Sequence, residues 1–487
     1  MDRNIVLSLK LAVIFWVAIF IFGSCATNPV TGKKELSLLS NSQEIQLGAE
    51  ADPGIVAQYG LYDDPKIAKY VDELGQKMAK ISHRPTLQFH FRVLDSPVIN
   101  AFALPGGYVY ITRGILAYMN SEAELAGVIG HEIGHITARH GAKAYTRAQL
   151  AQVGFGVGYL FSETFRQFSD VAQMGVGLLF LRFSRDQERQ SDELGVAYST
   201  KVGYDATHMS HFFGTLSNLR GLSGTDSGGA LESWFSTHPD PHDREAKTLQ
   251  LAKQEQAKAA AKGFKAARDH YLNLIDGIVF GEDPRQGFVE NGVFYHPTLE
   301  FQFPVPQGWQ LINTPQQVQM VNKEQTAGMQ FTLSQQPSAR NSADKFVSDS
   351  KGQVTASDYQ RLHGLNVEIR EVLVASQQGD LKVLAYFIEK DRYVYSFLGI
   401  SGANNYSKNV GAFRYTMNNF QRLKNQKAKT VKPTRIKVVR VNRTTTLQNF
   451  LKRYPNKTVS AEKLAIINGK NLTDKLQRGE RVKVLTK

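Results

Sequence analysis

A single cysteine, Cys25, stands among 487 residues, so no intramolecular disulfide can brace this chain in any redox compartment. Long hydrophobic runs are also missing. The best of them, Leu11 to Phe22, is well short of the roughly 20 apolar residues that a spanning helix needs. No low-complexity tract dominates and no repeat of solenoid length is present, which excludes a repeat array. A chain of this length is too long for one ordinary core and predicts two or three domains. Its formal charge of +14 is unevenly placed: 18 of the 58 Lys/Arg but only 3 of the 44 Asp/Glu fall in residues 424–487. A near-neutral body therefore carries a basic tail, suited to an anionic polymer or lipid headgroup.

What is present begins at the N-terminus. Arg3 and Lys10 precede the short apolar run, which ends in Phe22-Gly23-Ser24-Cys25. A charged start, a short apolar core and small residues before the cut are the pattern of a secretory signal. The segment resembles a lipoprotein signal peptide, residues 1–24, with Cys25 as the lipidated first residue of the mature chain; Phe22 stands where an aliphatic residue is usual. That resemblance implies a bacterial envelope location, on the periplasmic side of the outer membrane, and a secreted chain is not expected to meet nucleic acid.

Helical periodicity runs from Ser42 to Met78, and alternation predicts strands over Leu87–Leu94 and Gly107–Thr112. The breaker-rich stretch from Asn100 to Gly107 lies between these strands. Glu122 to Ala138 reads as a helix capped by Ser121, and Asp186 to Thr200 as another. Two glycine-spaced apolar runs, Val153–Phe161 and Met174–Leu181, read as buried helices or a helical hairpin. From Val289 the texture changes to strands and turns, and residues 435–487 read strand, helix, helix, strand.

The chemistry is concentrated in His131-Glu132-Ile133-Gly134-His135. Histidines four apart on a helix project from one face toward one metal ion. Glu132, one step round, can reach a water on that ion without taking a ligand position, as a general base must. Downstream, Glu188, Asp192 and Glu193 lie on a second helix. Any one of them could complete a His₂-carboxylate site that leaves one position for water; spacing alone does not choose among them.

Three features together resemble the zinc metalloprotease family of the CAAX prenyl protease, HtpX and the BepA-type periplasmic proteases. They are the HEIGH helix, the Glu188-x-x-x-Asp192 helix, and Asn100-Ala101-Phe102-Ala103-Leu104-Pro105-Gly106-Gly107. The resemblance spans about residues 28–275. It implies an α+β, mainly helical zincin-type fold, one Zn²⁺ per chain held by His131, His135 and Glu188, catalysis by Glu132, and Asp192 as an acidic neighbour orienting a ligand. It matches His238 and Arg244 to the family's His-Pro and Arg, as an oxyanion-stabilising or site-capping histidine and a stabiliser of developing negative charge. By analogy with strand addition, Ala103, Leu104, Pro105, Gly106 and Gly107 are expected to bind the substrate backbone. No helical array follows, so the likeness to BepA-type proteases ends with the peptidase.

The tail resembles a LysM module through Thr446–Leu451, Leu464–Gly469 and Leu476–Val484, although Thr444-Thr445-Thr446 replaces the usual Gly-Asp-Thr. That likeness implies peptidoglycan as a partner. The expected organisation is thus a signal peptide (1–24), a peptidase domain (25–275), an α+β domain of unknown role (289–423), a basic linker (424–434) and a small βααβ module (435–487). The expected activity is endopeptidase cleavage of misfolded or maturing envelope polypeptides, with a latent, assembly-assisting zincin as the alternative.

Overall fold

The computed structural model describes residues 25–154, 183–222, 232–238, 243–259, 263–376, 379–456 and 458–487. The expected signal peptide lies outside the described residues, as do both glycine-spaced apolar runs apart from residues 153–154. Cys25 opens a short strand, Cys25–Thr27, that pairs antiparallel with Lys34–Leu36.

The periodic stretch after Ser40 forms two helices, because Gly60 and Pro65 interrupt it. Helix α1 (Asn41–Tyr59) starts from a Ser40/Gln43 capping box and stops at Gly60, whose φ of 70° disfavours a side chain. Helix α2 (Pro65–Ala79) starts with proline in its first turn, where no N–H is needed, and the Asp64 side chain caps the amides of Lys66 and Ile67. Its apolar face buries Ile67, Val71, Leu74 and Met78, each contributing up to about 1.5–3 kcal/mol.

Three strands follow: β1 (His90–Leu94), β2 (Ala101–Leu104) and β3 (Tyr108–Thr112). Their order is β1-β3-β2, with β1 parallel and β2 antiparallel to β3. Strand β2 is therefore an edge. The expected first strand is shorter than its alternation suggests, starting at His90 rather than Leu87.

After α3 (Arg113–Tyr118) comes α4 (Glu122–Thr137), every residue of which is buried; the Ser121 hydroxyl caps it at Glu124. Helix α5 (His140–Gly154) follows after a break at Arg139, which takes a left-handed φ of 57°. Helix α6 (Arg185–Lys201), with a Ser184/Gln187 capping box, lies against α4. Glycines allow this close approach. A Cβ at Gly130 would meet the Gly195 Cα at 3.0 Å, and one at Gly195 would meet the His131 amide nitrogen at 3.0 Å. Helices α7 (Thr207–Leu222), α8 (Glu232–Thr237), α9 (Arg244–Lys258) and α10 (Arg268–Ile275) complete this α+β body.

The chain then leaves the body and returns. Backbone bonds from the Gly277 amide to the Ile436 carbonyl, from Ile436 to Ile278, and from Phe280 to Thr434 (2.8, 2.9 and 2.8 Å) bring exit and re-entry side by side. Between them sits a seven-stranded antiparallel sheet with Gln353–Leu362 and Gln310–Asn313 at its edges, a four-stranded sheet, and helices Ala339–Ser350 and Tyr406–Asn418. Its cores are separate from that of the body.

The C-terminal residues differ from the linear order expected. Strands β4 (Arg435–Arg440) and β5 (Arg481–Thr486) pair antiparallel and flank two helices, Leu447–Leu451 and α11 (Ala461–Ile467). Their apolar residues, including Ile436, Leu464, Ile467 and Val484, join the same core as α2, α4 and α10. Lys483 is buried there, and its ammonium donates to the carbonyls of Ala117 and Met119 at 3.0 and 2.8 Å. The expected linker 424–434 is not free chain either: Gln426–Lys429 is a helical turn capped by Asn425, and Ala428 is buried against Tyr295 and Leu423. Sequence order hid both facts, because neighbouring segments bury their apolar faces on partners far along the chain.

Candidate metal centre

Helix α4 aims His131 and His135 at one point. Helix α6, held close by the glycines, brings Glu188 to the same point, and the end of α8 adds His238. Their ligand atoms all lie within 4.8 Å of one another, and all four residues are buried. His131 Nε2 is 2.9 Å from His135 Nε2, 3.4 Å from His238 Nδ1 and 3.6 Å from Glu188 Oε2. His135 Nε2 is 3.4 Å from Glu188 Oε1, and His238 Nδ1 is 3.2 Å from both Glu188 oxygens. A tetrahedral ion with bonds of about 2.0–2.1 Å spaces its ligand atoms roughly 3.3 Å apart. Three imidazole nitrogens and a carboxylate at these separations, shut away from water, fit a divalent ion such as zinc by donor type and spacing.

Each donor is held from behind. His131 Nδ1 lies 2.9 Å from Asp192 Oδ1, as expected of a carboxylate that fixes a ligand ring. Arg244 grips that carboxylate through Nε (2.9 Å) and Nη2 (2.6 Å), sets Nη1 3.3 Å from Glu188 Oε2, and lies over the Phe213 ring. Its guanidinium thus faces the carboxylates of Asp192 and Glu188. Phe183 stacks on His135 at 4.0 Å and Trp234 on His238 at 4.6 Å.

Electrostatics follow from burial and these neighbours. Burial pushes the Glu132 carboxyl up, against the pull of His238 and His131. Burial also opposes charge on Glu188 and Asp192, yet His238, His135 and Arg244 hold Glu188 well below the ordinary range, and Arg244 with His131 holds Asp192 below it. Burial drives His135 well down. For His238 burial acts downward too, but the Glu188 and Glu132 carboxylates outweigh it and raise its pKa. Neither oxygen of Glu132 has a hydrogen-bond partner among the described residues, although the side chain is wholly buried. Such an orphaned acid beside four converging donors is costly unless another group shares the site.

The expected backbone-binding segment divides in two. Ala101 and Ala103 lie on edge strand β2, and the Ala101 carbonyl is 3.2 Å from His238 Nε2. Leu104, which ends β2, is buried in a core with Ala51, Phe102 and Tyr110. Pro105, Gly106 and Gly107 are buried in the turn that follows. A Cβ at Gly106 would meet the Glu44 oxygen of α1 at 2.8 Å, and one at Gly107 the Gln88 oxygen at 2.3 Å. These three are tightly packed, and Ala101, two residues before the expected segment, is the one whose carbonyl borders the cluster. The sequence reading also passed over His140, Gln190, Trp234 and Phe183. His140 is five positions beyond His135, off the helical face, and only the left-handed Arg139 swings it back.

Residues 65–252 match Peptidase family M48. Over that stretch the chain is similar to the M48 peptidases. The beta-barrel assembly-enhancing protease of Escherichia coli (strain K12) is 30% identical over 263 residues, covering 52% of this chain and 53% of that protein. The mitochondrial metalloendopeptidase OMA1 of Arabidopsis thaliana is 31% identical over 206 residues, 42% of this chain and 40% of the relative. OMA1 of Schizosaccharomyces pombe is 28% identical over 235 residues, 47% and 67% respectively. The chain spans about half the length of the first of these relatives. All of the gathered ligand atoms lie within the M48 match, on α4, on α6 and at the end of α8. Among the described residues, no helix is long and apolar enough to cross a membrane.

Proposed function

We propose that this protein is a zinc-dependent endopeptidase, with His131, His135 and Glu188 as ligands and Glu132 as general base. The observation that carries the reading is the buried convergence of those ligand atoms beside Glu132, whose oxygens accept no hydrogen bond among the described residues and lie no nearer than 3.7 Å to the His238 ring nitrogen in the one ion pair they make there. A zinc ion bound there would supply Lewis acidity to a water and to the scissile carbonyl. Glu132 accepts the proton of that water and returns it to the leaving amine, and its burial raises its basicity for this task. Asp192 orients His131, and Arg244 acts through Asp192 and Glu188 as a positioning residue. The edge of β2, which no other strand pairs among the described residues, offers backbone groups to an extended polypeptide, so that affinity depends little on side chains.

His238 supports a capped resting form. Its Nδ1 fills the fourth corner of the donor set, and its Nε2 faces the Ala101 carbonyl of the edge strand. An activating event then has to withdraw His238 before water and substrate enter. Envelope location through lipidated Cys25, and misfolded or maturing envelope proteins as substrates, are part of this proposal. They rest on the N-terminal pattern and on the likeness to the beta-barrel assembly-enhancing protease. Peptidoglycan binding by residues 435–487 rests on the LysM-like pattern.

The test is cleavage of casein by the mature chain, with zinc determined on the same sample and Glu132→Gln in parallel. About one zinc per chain, cleavage by the wild type, and loss of cleavage but not of zinc in the variant are expected. A chain that takes up no zinc overturns the ligand assignment. Zinc bound without cleavage, even in His238→Ala, leaves the second reading: a latent zincin that assists outer-membrane assembly as a binding protein.

A further inference from the structure

Behind His135 lies a short run of hydrogen bonds that can be polarised in only one direction if His135 is to bind a metal. His135 Nδ1 is 3.0 Å from His140 Nδ1, and His140 Nε2 is 2.9 Å from Gln190 Oε1. His140 is fully buried, and the Ser191 hydroxyl approaches its Nδ1 at 3.3 Å. A ligand imidazole bound through Nε2 is neutral and carries its proton on Nδ1. That proton needs an acceptor, so His140 Nδ1 must carry a lone pair and the His140 proton must sit on Nε2. Among the described residues, the group facing that proton is the Gln190 carbonyl oxygen. Reversing any bond, with the Gln190 amide donating instead, would place a proton on His140 Nδ1 and leave His135 without its ligand tautomer.

We propose that His140 and Gln190 are positioning residues that hold His135 in its Nδ1–H tautomer, with the Nε2 lone pair aimed at the metal position. The inference rests on the reading of His135 as a ligand. It completes an asymmetric support in which both ligand histidines are anchored on α6. His131 is backed by the Asp192 carboxylate, charged and tied to Arg244, whereas His135 is backed by a neutral imidazole and an amide. Glu188, Gln190, Ser191 and Asp192 thus make one helix both the source of the third ligand and the rear support of the other two. The break at Arg139 (φ 57°) turns the chain so that His140 meets His135.

The experiment measures zinc affinity by chelator competition on the mature chain for the wild type, His140→Leu, Gln190→Lys and Gln190→Glu. His140→Leu leaves the His135 proton without an acceptor, and affinity falls about 10- to 100-fold, the usual loss when such a partner is removed. Gln190→Lys offers only donors toward His140 and weakens zinc about tenfold. Gln190→Glu can only accept and binds zinc as tightly as the wild type or more so. In the zinc-loaded wild type labelled with ¹⁵N-histidine, the ring proton is expected on Nδ1 of His135 and on Nε2 of His140. Equal affinities for Gln190→Lys and Gln190→Glu, or a proton on His140 Nδ1, overturn the proposal, and the Gln190 pair decides the matter should His140→Leu not fold. A wild type that binds no zinc overturns the ligand reading beneath it, which the same titration distinguishes.

Discussion

His238 Nε2 lies 3.2 Å from the carbonyl oxygen of Ala101, while the Nδ1 of the same ring closes the ligand cluster at 3.4 Å from His131 Nε2. One imidazole therefore occupies both the fourth corner of the donor cluster and the edge of the strand that faces it. Removing it should free both. His238→Ala is expected to cleave casein several-fold faster than the wild type at equal zinc content, chiefly through kcat. Slower cleavage with zinc retained would show that His238 assists the reaction instead of capping the site.

Asp192 and Arg244 form a buried ion pair that also steadies His131. Breaking such a pair from one side strands a charge in a dry site and costs about 3–5 kcal/mol. Arg244→Met should therefore lower the unfolding free energy of the body by that order, measured by denaturant titration. Asp192→Asn should weaken zinc about 10- to 100-fold. A variant Arg244→Met as stable as the wild type would mean that the pair contributes nothing.

The α4/α6 contact is made by backbone on both sides at Gly130 and Gly195. In Gly195→Ala the new methyl would press on the His131 amide at 3.0 Å and the Gly127 carbonyl at 3.1 Å, neither of which can rotate away. Overpacking of this kind costs about 1–3 kcal/mol. Because α6 carries Glu188 and α4 both histidines, zinc retention should fall together with the melting temperature. An unchanged zinc affinity would show that the helices can separate without disturbing the ligands.

Exit and re-entry of the chain are joined by backbone bonds between Phe280 and Thr434. Replacing residues 284–431 with a short Gly-Ser linker should leave a cooperatively folding body that keeps its zinc, since the inserted sheets have cores of their own. By contrast, deleting residues 435–487 removes part of the core shared with α2, α4 and α10 and should yield insoluble protein. Circular dichroism and zinc content of the two deletions check this contrast, and soluble, zinc-binding protein from the second would refute it.

Within the inserted unit, His296 accepts the Leu299 amide through Nδ1, and burial lowers its pKa from 6.5 to about 4. The native ring stays neutral where the unfolded ring takes up a proton. Stability of this unit should therefore be complete above about pH 6.5, fall as the pH drops from there to about 4, and level off below. The loss is on the order of 3 kcal/mol. Unfolding of the isolated unit, followed from pH 8 to 4 and compared with His296→Gln, checks it; parallel curves for the two proteins would rule His296 out as the cause.

Local spacing made much of the centre readable. The four-residue step from His131 to His135 needs only one helix, and Ser121 marks where that helix starts. By spacing alone Glu188 was one of three candidate acids; the family resemblance singled it out, and the physical reason, the face of α6 that meets α4, lies in the tertiary structure. His140 and Ala101 could not be found this way, because one depends on the left-handed Arg139 and the other on a strand edge facing α8. The breakers Pro105, Gly106 and Gly107 were legible as a turn, but not as one wedged beneath α1.

By itself, then, the sequence determined the elements that rest on neighbours along the chain: the helix carrying both histidines and Glu132, its caps, the breaks at Gly60 and Pro65, and the change of texture after Val289. Only the tertiary structure decided that residues 435–487 complete the core of the body, that residues 281–433 are inserted between two halves of it, and that His238 joins the donor cluster while His140 backs His135 at Nδ1. The reason is physical. Helical spacing and capping act over a few residues, whereas burial pairs whatever apolar and polar surfaces fit, at any separation along the chain.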